Sequence, residues 1–167
     1  MVRKGYSKYY LFTLEAAKSL AMIENNDKGN LVRRYFITME RTLRNYKEWN
    51  TSRGIEKEGY RHMMDELEKW VIRNDYDTKD FKVFAARESN MINIALTGLT
   101  AVGIRSYFSA KDEITRDHLT KECNEAINSL QEINSSLILN NLDFEMRKSI
   151  IEGTCRSKYS NLYLANK

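Results

Sequence analysis

The chain contains no proline in its 167 residues. At an average usage of roughly 5%, about eight would be expected. Proline lacks a backbone N–H and clashes with the preceding helical turn, so it is the residue that most reliably ends a helix. Glycine, the next strongest breaker, occurs 7 times. A chain this poor in interruptions can run long helices, and the expected class is all-α. The expected architecture is a multi-helix bundle with a short N-terminal strand and one long heptad-patterned helix.

Hydrophobic residues make up 42% of the chain and charged residues 30%. That is enough apolar content for a packed core and too much for a disordered segment. The net charge of +4 is uneven. Residues 1–61 hold 13 basic against 7 acidic side chains, and residues 62–167 hold 14 against 16. Nucleic-acid contact is therefore expected in the first part at most, and the balance argues against an acidic DNA mimic. Cys123 and Cys155 belong to no CxxC or Cys/His cluster, which argues against structural zinc and for two buried thiols in a reducing compartment. The start, MVRKGYSKYYLF, lacks the apolar run of a signal peptide, and no stretch approaches 18 consecutive apolar residues. The expected location is the cytoplasm, with no membrane contact.

Tyr9 to Phe12 reads as the short strand, and Thr13 as the N-cap of a helix to Glu24. Asn25 to Gly29 is a turn cluster in which glycine can take a left-handed position. A second helix, Asn30 to Trp49, places Val32, Phe36, Met39, Leu43 and Tyr46 on one stripe. Ser52-Arg53-Gly54 breaks the pattern, and a third helix follows from Ile55 to Arg73 with Tyr60, Met63, Leu67 and Trp70 in register. So short a connection predicts an antiparallel hairpin. The polar run Asn74 to Lys79 is the expected boundary between an N-terminal lobe, 1–74, and a C-terminal lobe, 75–167. Asp80 is the candidate cap of a fourth helix ending at Gly98, and Thr100 that of a short helix to Phe108. Ile114 to Asn140 is the longest regular segment, and Asp143 is the candidate cap of a last helix reaching Leu164. In the long segment, Leu119, Cys123, Ala126, Leu130, Ile133 and Leu137 follow a heptad rhythm. This stripe either packs inside the bundle or forms an oligomer face with a second copy.

No catalytic constellation is evident. His62 and His118 sit in separate segments, neither in an HExxH-like spacing, and no GxSxG, Walker A or GxGxxG pattern occurs. The pairs Asp65-Glu66 and Asp112-Glu113 read as solvated faces or helix-dipole partners. The expectation is a non-enzyme with no cofactor and no metal. The basic residues form the more informative pattern. Arg33, Arg34, Arg41, Arg44 and Lys47 share the second helix, while Arg3, Lys4 and Lys8 interleave with Tyr6, Tyr9 and Tyr10. Arginine with tyrosine suits a protein interface, a phosphate backbone or simply a solvated face.

The stretch YYLFTLEAAKSLAMIENNDKGNLVRRYFITMERTL, residues 9–43, resembles the second half of the AntA-type phage antirepressor domain. The matching positions include Tyr10, Leu11, Thr13, Ala17, Lys18, Leu20, Asn26, Lys28, Gly29, Arg33, Arg34, Tyr35, Phe36 and Glu40. The rear resembles the region downstream of the DNA-binding part in KilA-N and RhuM-like phage proteins, through Ala86, Glu88, Asn90, Met91, Asn93, Gly98, Thr100 and Arg105. The antirepressor family's DNA-contacting portion lies upstream of the matched half and is not among these residues. The resemblance therefore implies a phage or prophage antirepressor-like regulator in a bacterial host cell. It would bind a repressor, or another host or phage protein, and work as a homo-oligomer. Arg33, Arg34, Tyr35, Arg41 and Arg44 are the expected contact residues. Two alternatives stay open: direct DNA binding through residues 1–47, and a phage anti-defence inhibitor on the same scaffold.

Overall fold

The computed structural model describes residues 10–110 and 113–165. Among them the protein is all-α, with six α-helices joined by short turns and no strand. The helices are α1 (Leu14–Ile23), α2 (Asp27–Arg73), α3 (Phe81–Thr97), α4 (Ala101–Tyr107), α5 (Lys121–Leu139) and α6 (Phe144–Lys158). Single turns of 3-10 helix at Thr78–Asp80, Thr115–His118 and Ser160–Leu162 complete the order. Tyr10 to Phe12 do not form the expected strand, and Tyr9 lies outside the described residues.

Local signals account for most helix ends. The hydroxyls of Thr13, Thr100 and Thr120 and the carboxylate of Asp143 each accept a backbone N–H in the first turn of the helix that follows. Asp80 precedes α3 without making such a bond. Gly98 ends α3 at φ 78°, a conformation that carries a steric penalty for any residue with a Cβ. A Cβ here would also come within 2.5 Å of Cζ of Tyr163, and the neighbouring Thr97 carbonyl accepts from the N–H groups of Leu164 and Ala165. Gly98→Ala is expected to cost about 1–3 kcal/mol in a urea unfolding curve. A variant as stable as the parent would contradict this geometry.

The largest departure from expectation is α2, which runs 47 residues without a break. Ser52-Arg53-Gly54 does not interrupt it, so no hairpin forms between two separate helices. The Ser52 hydroxyl donates to the Trp49 carbonyl at 2.8 Å and Arg53 is tied into a buried ion network, so this turn is held by side chains. A lone glycine costs a helix only ~1 kcal/mol relative to alanine, too little to end it here. Compactness therefore divides the chain not at Asn74 but inside α2, into residues 1–47 and 48–167. The physical reason is that Met63, Leu67, Trp70 and Val71 of α2 belong to the C-terminal core.

In the unit 48–167, helices α3, α5 and α6 pack on one another, and the second half of α2 contributes to the same core. Ile92, Leu96, Ile104, Ile127, Leu130, Ile138 and Ile151 are fully enclosed there. Helix α5 begins at Lys121, because residues 115–118 form a separate 3-10 turn and Thr120 supplies a new cap. Helix α6 ends at Lys158, before the expected Leu164. The heptad stripe faces inward: Leu119, Cys123, Ala126 and Leu130 are buried in this core, with Ile133 and Leu137 partly buried. That corrects the oligomer-face expectation, since a stripe already covered by its own unit has little surface left for a second copy. Cys155 is buried as well, and burial, with Glu152 nearby, pushes its thiol up to about 11.

Polar side chains also enter this core. Glu88 of α3 and Arg147 of α6 are both completely buried, with Oε1 and Nη2 2.5 Å apart. The other carboxylate oxygen accepts from Asn134 Nδ2 of α5 at 2.9 Å. Arg147 also donates to the Leu142 carbonyl at 2.5 Å and lies near the rings of Trp70 and Phe144.

Candidate functional site

The described part of the unit 1–47 is a helical hairpin, α1 against the opening turns of α2. Asn26 caps α2, its Oδ1 accepting from the Gly29 N–H at 2.9 Å. Gly29 is inside the helix and not in a left-handed turn. A Cβ on it would lie 2.5 Å from the Glu24 carbonyl oxygen, so glycine is needed for close approach. Arg33 then clamps the turn, donating to the carbonyls of Met22 at 3.4 Å and Glu24 at 3.1 Å and to Asn30 Oδ1 at 2.6 Å. Its guanidinium satisfies orphan carbonyls where the α1 dipole is negative. Lys18 pairs with Glu40 at 2.7 Å and lies over the Phe36 ring at 5.4 Å. The hydrogen bond from Lys18, and then its charge, hold the Glu40 carboxyl below the usual carboxylate range.

These bonds fix the hairpin, yet it encloses almost nothing. Among residues 10–47 only Ala21 and Gly29 are buried. Leu14, Met22, Ile23, Leu31, Tyr35, Ile37 and Leu43 are all exposed, Ile23 to 81% and Leu31 to 70%. An apolar cleft of about 390 Å³ opens between α1 and the start of α2, lined by Phe12, Ala17, Leu20 and Val32 among others. Isolated exposed leucines are ordinary, but a helical hairpin that leaves this many large apolar side chains uncovered offers surface for an interaction.

The expected contact residues divide accordingly. Arg34, Tyr35, Arg41 and Arg44 are exposed on α2 and share the hairpin with the apolar surface, Tyr35 meeting Phe36 edge-on at 5.6 Å. Arg33 does not stand free, because three hydrogen bonds tie it to the turn. Arg3, Lys4, Tyr6, Lys8 and Tyr9 lie outside the described residues, as does Asp112. The apolar cleft was not anticipated. Its signal was present, since apolar residues occupy positions 31, 32, 35, 36, 37 and 39, wider than a single stripe.

His62 is exposed, while His118 is partly buried, stacked on Phe108 at 5.9 Å, with Nε2 2.8 Å from Glu113. Among the described residues no group of three or more His, Cys, Asp or Glu side chains could hold a metal ion. No helix among them is long and apolar enough to cross a membrane. No family model, no curated protein and no solved structure matches the chain.

Proposed function

We propose that this chain is an antirepressor-like regulator of phage type, acting in the bacterial cytoplasm by protein–protein contact. The hairpin 10–47 docks on a repressor and displaces it from its operator. One observation carries this reading: the hairpin is locked by Arg33, Asn26 and Gly29 while its large apolar side chains face outward. A rigid element with unburied leucine, isoleucine and tyrosine loses little conformational entropy on docking and gains by covering that surface. Exposed Arg34, Arg41 and Arg44 supply the rim, where arginine is enriched in interfaces. The likeness of residues 9–43 to the AntA-type sequence points to the same use.

The test titrates the full chain into a phage repressor held on its operator and follows DNA release by gel shift. Release is expected. The double variant Ile37→Glu, Leu43→Glu should weaken it about 100-fold, since burying a carboxylate at a contact centre costs more than ~2 kcal/mol. Both positions are exposed, so folding should survive. Intact repressor–operator complexes at saturating protein would reject the proposal. If the chain alone shifts the DNA, and rising salt abolishes that complex steeply, direct DNA binding replaces it.

A further inference from the structure

The unit 48–167 holds a second feature, unrelated to the hairpin: a basic cleft of about 450 Å³. Small-molecule sites span roughly 300–1,000 Å³, so the size suits a metabolite. Arg53, Lys57 and Arg61 border it at successive i, i+4 positions of α2, and Arg116 joins them from the 3-10 turn before α5. Like charges at that helical spacing repel one another unless something neutralises them. Glu56, buried at the same wall, accepts from Arg53, from Arg116 and, at 2.8 Å, from Gln131 Nε2. Arg53 Nε donates to Asp117 at 2.7 Å. These contacts hold both guanidiniums in place and occupy only part of the five N–H donors that each carries. Glu56 and Asp117 offset Arg53 and Arg116, whereas Lys57 and Arg61 have no ion pair among the described residues. Among the described residues that line it, the cleft thus keeps a surplus of positive charge.

The second observation concerns neutral groups. Asn93 is 2% exposed and lines the cleft, and its Oδ1 has no hydrogen-bond partner. The hydroxyl of Ser89, on the same lining, is likewise unpartnered. A buried amide oxygen left unpaired is costly, and a ligand donor would relieve it. Tyr60 contributes a ring, with the Arg116 guanidinium 5.4 Å from its centroid, and Ala101 and Ile114 add apolar surface.

We infer that this cleft binds a small phosphate ester carrying a flat, hydrogen-bonding ring, the chemistry of a nucleoside monophosphate. Lys57, Arg61 and Arg116 hold the phosphate through charge-assisted hydrogen bonds. The ring lies against Tyr60 and offers an N–H to Asn93, a side chain whose amide pairs well with the edge of adenine. The inference is independent of the proposed function, because the cleft lies wholly within residues 48–167.

The test is isothermal titration of the full chain at low salt with adenosine, guanosine, cytidine and uridine 5′-monophosphates, and with ribose 5-phosphate. At least one nucleotide should bind saturably, one per chain and about tenfold or more tighter than ribose 5-phosphate, as stacking on an aromatic ring predicts. Lys57→Gln with Arg61→Gln should weaken that binding about tenfold or more, the loss expected for two charge-assisted contacts. Both side chains are exposed, so thermal unfolding of the variant should match the parent. Tyr60→Leu should erase the preference for nucleotide over sugar phosphate. Three results would overturn the inference: no saturable binding at millimolar concentration, equal affinity for ribose 5-phosphate, or undiminished affinity in the Lys57/Arg61 variant.

Discussion

Replacing Arg147 with methionine is expected to lower the unfolding free energy by about 3–5 kcal/mol, because it strands a buried carboxylate. Glu88 is wholly enclosed, and Arg147 is its partner of opposite charge there. Asn134 would remain as a donor to Glu88, but a neutral amide cannot replace a guanidinium. Methionine fills most of the volume, so a cavity is not the cause of the loss. For a chain of this size the change corresponds to a fall of roughly 6–20 °C in Tm. Both tryptophans, Trp49 and Trp70, lie in the unit 48–167, so fluorescence during urea unfolding reads this unit. The decisive comparison adds Glu88→Leu to the methionine variant. Removing the stranded charge should recover a good part of the loss, since a buried pair exchanged for apolar groups is often neutral. A single variant within about 1 kcal/mol of the parent would mean that the pair does not carry the charge balance of this core.

Periodicity and capping residues made much of this fold readable. Thr13, Thr100 and Asp143 announce their helices by type and position, and Gly98 announces the end of α3. What was missed came from treating polar residues as breaks. Trp49, Arg53, Glu56, Tyr60, Met63, Leu67 and Trp70 recur at steps of 4, 3, 4, 3, 4 and 3. The helical rhythm therefore runs straight through Ser52-Arg53-Gly54, and its two charged members are buried along with Met63, Leu67 and Trp70. Glu88 sits likewise between Ala85 and Ile92, and Arg147 between Phe144 and Ile151, at core-facing spacing. A charge inside an apolar stripe is a signal of a buried pair, but which cation meets which anion is a tertiary fact that spacing along one helix does not contain. The hairpin was located by its turn and by Arg33-Arg34-Tyr35-Phe36, although Arg33 proved to be a clamp. The basic cleft stayed hidden because it joins residues 53–61 to 89–93 and 114–116.

Glu56→Gln is expected to cost about 3–5 kcal/mol, again as the removal of one partner from a buried ionic cluster. Its carboxylate meets Arg53 of its own helix, Arg116 of the turn before α5 and Gln131 of α5. Glutamine keeps the size and one acceptor oxygen but gives up the charge, so the comparison isolates electrostatics from packing. Arg53 retains Asp117, whereas Arg116, itself 8% exposed, loses its carboxylate. The cost should therefore fall mainly on the turn Thr115–His118, and amide exchange there should quicken more than exchange in α6. Glu66→Gln is the matched control on the same helix. Glu66 pairs with Lys69 at 2.7 Å, but the Lys69 side chain is largely exposed, and water screens what the pair contributes. The hydrogen bond from Lys69 lowers the Glu66 carboxyl below its ordinary value, so any stability this pair adds is present above the ordinary carboxylate range and fades as pH falls through the lowered one. If Glu56→Gln proved as mild as Glu66→Gln, Arg116 would have to find its counter-charge elsewhere. The central turn of α2 would then rest on its backbone, the Ser52–Trp49 bond and the Arg53–Asp117 pair, and Glu56 would not be the anchor that fixes Arg116 in the cleft.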